Sequence, residues 1–154
     1  MFQREELKAI RTEFWTVFGN IMKHQFSETG IRVRWTNYRT GVKDFYFRLD
    51  ADGKKAAVYI DFQHPDPEIR NLFWEQMKEY KTYFHSAMES EWNWEETFYL
   101  PDGREISRIS KEIKDVSLFD KNTWPTIFEF FKTEMIRLDS FWSDVRLVFI
   151  ELSK

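Results

Sequence analysis

The sequence predicts an α+β domain in which one mixed or antiparallel sheet is packed by three helices. Three observations carry that reading. Apolar residues recur at helical spacing near both ends of the chain, an alternating segment surrounds Asp52-Gly53, and another surrounds Pro101-Asp102-Gly103. The chain has 154 residues, 42% of them hydrophobic and 32% charged, with a formal net charge of −3. That length fits a single domain, taken as 1–154, with enough apolar content for one core. Aromatic residues make up 19% of the chain, a load that needs burial or a partner and argues against disorder.

The first helix is expected over Phe2 to Phe26, with Leu7, Ile10, Phe14, Phe18, Ile21 and Met22 inward. Gly30 can take the positive φ that turns the chain, so the helix should end before it. Ile31 to Trp35 alternates apolar residues with Arg32 and Arg34 and reads as a short strand, followed by a turn over Asn37 to Gly41. Asp52-Gly53 suits a type I′ hairpin turn. The register that turn implies sets Leu49 opposite Ala56, Phe47 opposite Val58 and Phe45 opposite Ile60, all on one face. The other face then pairs Asp50 with Lys55, Arg48 with Ala57, Tyr46 with Tyr59, and Asp44 with Asp61.

Asp66-Pro67-Glu68 marks the start of a second helix running to about Met88, with Ile69, Leu72, Phe73, Tyr80 and Phe84 inward. The second hairpin should join Trp94–Leu100 to Arg104–Ile113, pairing Phe98 with Ile106 and Glu96 with Arg108. Asn122 or Thr123 then caps a long last helix with Pro125 in its first turn. Its apolar stripe runs from Trp124 to Phe149, and the pairs Phe130-Phe131 and Phe141-Trp142 widen it. The width suggests a homodimer contact or docking face there.

Several segments carry a family likeness: Phe14-Trp15 with Phe18, Trp35 to Gly41, Tyr46 to Asp50, Asp61 with His64, Trp92-Asn93-Trp94, Trp124-Pro125 and Leu138 to Trp142. Together they resemble an uncharacterised bacterial family described as a domain of unknown function. Members occur as small stand-alone proteins and as C-terminal partners of endonuclease-like domains. The resemblance spans essentially the whole chain and implies no activity. Through the fusion partners it implies an association with nucleic acid or with an endonuclease-like protein.

Three residue groups could carry function. Two carboxylates facing each other across a hairpin, as expected for Asp44 and Asp61, repel unless a cation or proton lies between them. Hard oxygen ligands so placed suit Mg²⁺ or Mn²⁺ and water activation. A helix, three strands and a helix, with an acid on each hairpin strand, resembles the core of PD-(D/E)XK nucleases. In those enzymes the position of Gln63 is usually a lysine; glutamine cannot donate a proton in the same way. Gln76-x-x-x-Tyr80 resembles a motif of one branch of that superfamily, and Gln76 is expected on the apolar face of its helix. If the metal-dependent nuclease reading holds, Asp44, Asp61 and Gln63 are its catalytic set and the two acids its metal ligands. Asp61, His64, Asp66 and Glu68 form a second cluster of metal-ligating residue types, although Asp66 is already accounted for as a cap.

The third group is electrostatic. Arg32 to Lys55 holds seven basic and three acidic residues, net +4, whereas Glu89 to Glu105 holds one basic and six acidic, net −5. Cations with Trp35, Tyr38, Tyr46 and Tyr59 between them could hold phosphates and stack bases. The expected binding surface is therefore Arg32, Arg34, Tyr46, Arg48, Lys55 and Tyr59, in a non-catalytic accessory module that binds nucleic acid or a nuclease-type partner.

Absences narrow the field further. With no cysteine, disulfide frameworks, thiolate catalysis and Cys-based zinc sites are excluded. No glycine-rich phosphate loop, dinucleotide fingerprint, HExxH or Gly-x-Ser-x-Gly motif occurs, and no cofactor is expected outside the nuclease alternative. No apolar run is long enough for a membrane span, and the acidic N-terminus lacks a signal core, so a cytoplasmic location is expected.

Overall fold

Two antiparallel hairpins lie side by side and share one sheet, and the helices collect on a single face of it. The structure is a computed structural model that describes residues 3–154. The elements are α1 (Arg4–Met22), β1 (Phe45–Ala51), β2 (Lys55–Phe62), α2 (Pro67–Glu79), α3 (Lys81–Met88), β3 (Asn93–Tyr99), β4 (Glu105–Lys114) and α4 (Trp124–Leu152). Short 3₁₀ turns occupy Trp35–Asn37 and Lys121–Thr123. The sheet order is β1-β2-β4-β3, every pair antiparallel, so the predicted α+β class holds with four helices in place of three.

The first hairpin keeps the expected faces but in a register shifted by two residues. Ala51 faces Ala56, Leu49 faces Val58, Phe47 faces Ile60 and Phe45 faces Phe62. The Asp52 carboxylate accepts the backbone N–H groups of Lys54 and Lys55 at 2.8 and 2.9 Å. The Asp52 N–H donates to the Lys55 carbonyl at 3.0 Å, so Gly53-Lys54 forms the loop, and Gly53 stays outside the left-handed region a type I′ turn needs. A slip of two preserves side-chain parity, which is why the apolar face survives. It does change every cross-strand pair: Tyr46 faces Asp61, and Asp44 lies beside Gln63, whose N–H donates to the Asp44 carbonyl at 2.7 Å.

The expected strand at Ile31–Trp35 does not form. One bridge links Phe26 to Arg32, and the chain then turns through Trp35–Asn37. The helix–three-strand–helix order expected for the nuclease-like core is therefore replaced by helix, two strands, helix. The Trp35 indole N–H donates to the Gln25 carbonyl at 3.0 Å, a side-chain anchor in place of a ladder.

The second predicted helix breaks at Tyr80, which sits between α2 and α3 at φ −90°, ψ 5° with its ring 6.1 Å from that of Phe149. Asp66 caps α2 as expected, accepting the Glu68 N–H. Its buried stripe is rotated, however: Arg70, Phe73, Trp74 and Met77 face inward and Leu72 is exposed. Gln76 is half-exposed and donates to Glu79, so it is not the apolar-face residue its spacing suggested. In α1, Phe14, Phe18 and Met22 are buried while Ile21 is exposed; the expected start at Phe2 lies outside the described residues.

The second hairpin turns at Gly103 (φ 89°) and pairs Phe98 with Ile106 as expected. An irregularity between Glu95 and Phe98 brings Glu95, not Glu96, opposite Arg108. The last helix, α4, has 29 residues and is about 43 Å long at 1.5 Å per residue. Its N-terminal half packs on α1 through Phe128 and Phe131 against Phe14. Its C-terminal half packs on the sheet through Trp142 and Phe149 against Phe45. Phe141 and Trp142 are both buried and Phe130 is packed on the core, so the wide aromatic stripe is used inside the fold.

Candidate functional site

Alternation along the strands turns Tyr46, Arg48, Lys55, Tyr59, Asp61 and Arg108 to the sheet face opposite α4. At its centre Asp61 is fully buried (0% exposed). Arg108 on β4 grips it with two hydrogen bonds, Nε to Oδ1 at 2.7 Å and Nη2 to Oδ2 at 2.9 Å. The same guanidinium is held between the rings of Tyr59 and Phe98, 3.8 and 4.4 Å from their centroids. Burial works against the charge on Arg108, and the Asp61 carboxylate more than offsets it, so the guanidinium pKa is raised. Arg48 lies over Tyr46 with its Nε 3.9 Å from Asp61, and Lys55 pairs with Glu112 at 3.0 Å. Three outward cations of this face, Arg48, Lys55 and Arg108, thus meet an acid from the sheet itself, while Lys114 at the end of β4 makes no ion pair among the described residues.

The three nuclease-motif residues are close together but differently employed. Asp44, at φ 63°, and Gln63 line a cavity of about 520 Å³ with Lys43, Arg70, Arg104 and Glu105. The Gln63 amide reaches Asp61 at 3.3 Å. Asp61 points to Arg108, and its cross-strand neighbour is Tyr46 where Asp44 was expected. No group of three or more His, Asp or Glu side chains able to hold a metal ion occurs among the described residues. In the second cluster His64 Nδ1 accepts the Asp66 N–H at 3.0 Å, a local turn contact beside the helix cap.

Arg32 and Arg34 lie away from that face, in the connector between α1 and β1. From Lys23 to Lys43 this segment carries Lys23, Arg32, Arg34, Arg39 and Lys43 against one acid, Glu28. All five cations are exposed, and among the described residues none makes an ion pair. Arg32 donates to the Lys23 carbonyl at 3.0 Å and lies 5.2 Å from the Phe26 ring centroid, while Phe26 and Ile31 stay exposed.

The connector is nonetheless fixed in place. Asp139 of α4, 3% exposed, accepts the Ser27 hydroxyl at 2.9 Å, the Glu28 N–H at 2.7 Å and the Tyr38 hydroxyl at 2.5 Å. Burial, reinforced by Asp139, pushes the Tyr38 hydroxyl pKa far up, so it remains a donor. The Trp142 indole donates to the Thr40 carbonyl at 3.0 Å.

Six residues had been expected to form one binding surface. The structure puts Tyr46, Arg48, Lys55 and Tyr59 on the self-paired sheet face and Arg32 and Arg34 on the unpaired connector. Sequence reasoning missed Arg108 and Asp139. Asp139 left two traces: it lies within the Leu138–Trp142 segment of the family likeness, and on the inward stripe of the last helix, four residues after Met135 and three before Trp142.

No helix among the described residues is long and apolar enough to cross a membrane. Neither the curated proteins nor the solved structures contain a match to the chain. A family described as a domain of unknown function (DUF4268) matches residues 10–146, most of the chain, and the protein belongs to that family.

Proposed function

We propose that the protein is an accessory module that binds nucleic acid through the α1–β1 connector. The observation that carries the reading is the contrast in charge pairing. Among the described residues Lys23, Arg32, Arg34, Arg39 and Lys43 face solvent without carboxylate partners, whereas Arg48, Lys55 and Arg108 of the sheet each meet one. Such a patch attracts a polyanion locally even though the chain as a whole carries −3. The exposed Phe26 ring beside Arg32 favours a single strand, since it offers a face on which a base can stack. Asp139 supplies the order: a connector tied at Ser27, Glu28 and Tyr38 loses little entropy on binding.

The test is fluorescence anisotropy with labelled single-stranded and duplex oligonucleotides over a range of salt. Binding should prefer the single strand and weaken with salt, log K falling by about 0.7 per phosphate contact for each unit of log salt. Undetectable or salt-independent binding would overturn the reading.

A further inference from the structure

Behind the connector, a small cavity of about 160 Å³ opens between residues 27–41 and α4, lined in part by Arg39, Tyr38, Asp139, Ser143 and Arg146. Its volume is about that of five water molecules. Two features single it out. Arg146 makes no ion pair among the described residues, and its Nε is buried without a hydrogen-bond partner. A buried donor on a permanent cation is costly unless something accepts from it. The nearby carboxylate is not that acceptor: the Asp139 oxygens take Ser27, Glu28 and Tyr38, and neither reaches Arg146 Nε. The Ser143 hydroxyl donates to the Ser140 carbonyl at 2.7 Å and does not accept from Arg146 Nε either. Arg39, at the rim, is exposed and equally unpaired. The cavity thus presents two arginines to one acid whose oxygens are turned to other donors.

We infer that this cavity binds the terminal phosphate of a nucleic-acid strand, held between half-buried Arg146 and exposed Arg39. Planar guanidinium groups match phosphoryl oxygens with paired, charge-assisted hydrogen bonds. A space of this size holds one phosphoryl group, and a terminal monoester, with a charge of about −2 and three free oxygens, suits two arginines better than a diester inside the strand. The assignment rests on the nucleic-acid reading for its source of phosphate, but the geometry of the two arginines is independent of it.

Arginine Nε–Hε resonances of ¹⁵N-labelled protein would be followed during titration with inorganic phosphate, and then with a short oligothymidylate bearing a 5′-phosphate, a 3′-phosphate or neither. The Arg146 signal should move saturably with phosphate. The surface substitution Arg39→Gln, which disturbs no packed contact, should weaken that binding about tenfold or more. One of the phosphorylated strands should bind about tenfold tighter than the unphosphorylated one. An unmoved Arg146 signal, or a shift untouched by Arg39→Gln, would overturn the site, even if oligonucleotides bound elsewhere on the connector. A response to inorganic phosphate with no oligonucleotide binding would overturn the strand-end assignment and the nucleic-acid reading together, leaving a site for free phosphate. Arg146→Lys supplies a second check, since it keeps the charge but loses the planar fork and should weaken phosphate in a folded protein.

Discussion

The outer sheet face and the α1–β1 connector carry similar numbers of cations and use them in opposite ways. On the sheet, Arg108 closes on a fully buried Asp61, Arg48 leans toward the same carboxylate and Lys55 meets Glu112. On the connector, five cations face solvent around a single acid. Equal counts of arginine and lysine along a chain therefore say little about where a protein attracts anions. What decides is which acids the fold brings alongside: strand pairing brings acids to Arg48, Lys55 and Arg108, while the acid that α4 brings to the connector, Asp139, is taken up by Ser27, Glu28 and Tyr38. On the proposed reading the sheet cations serve stability and the connector cations binding, and each half can be broken separately.

The largest effect should come from Arg108→Ala. Removing the bidentate partner leaves buried Asp61 with only the Gln63 amide and the more distant Arg48, and the variant should lose about 3 kcal/mol in urea unfolding. Asp139→Ala comes next. It leaves three connector donors without their acceptor and should cost about 2–3 kcal/mol, with faster amide exchange confined to residues near 27–38.

The third contrast concerns affinity. Arg34→Glu should weaken oligonucleotide binding about tenfold at low salt with an unchanged Tm, while Arg48→Glu should leave affinity unchanged. The smallest effect is at the first hairpin turn. Burial works to raise the Asp52 pKa, but the N–H groups and charges of Lys54 and Lys55 together outweigh it and hold the carboxylate below its ordinary value. A depressed folded pKa contributes stability above the unfolded value, near 3.8, that is lost as pH falls through the folded one. Asp52→Ala should therefore cost about 0.5–1 kcal/mol at neutral pH, and the difference from wild type should vanish in acid.

Much of the fold was legible in the sequence because it rests on local periodicity. The stripe from Trp124 to Phe149, the Asp66-Pro67 cap and the apolar face of the first hairpin follow from spacing alone. The exact hairpin register was not, because one carboxylate-to-backbone contact at Asp52 moved the turn by a residue and every pair by two. That slip separated Asp44 from Asp61 as cross-strand neighbours. The site was less legible still. Arg108 and Asp61 are 47 residues apart in sequence and Asp139 and Glu28 are 111 apart, so neither juxtaposition leaves a local pattern. The break at Tyr80 has the same origin, a ring packed on Phe149 across the chain.

The division of labour between the two regions is tested most directly by the salt dependence of single-strand binding in two variants measured beside the wild type. One carries Arg32→Gln, Arg34→Gln and Arg39→Gln, and the other Arg48→Gln and Lys55→Gln. The connector variant should flatten the slope of log K against log salt by about 2, at roughly 0.7 per lost phosphate contact, while the sheet variant keeps the wild-type slope. A slope that flattens in the sheet variant and survives in the connector variant would contradict the account.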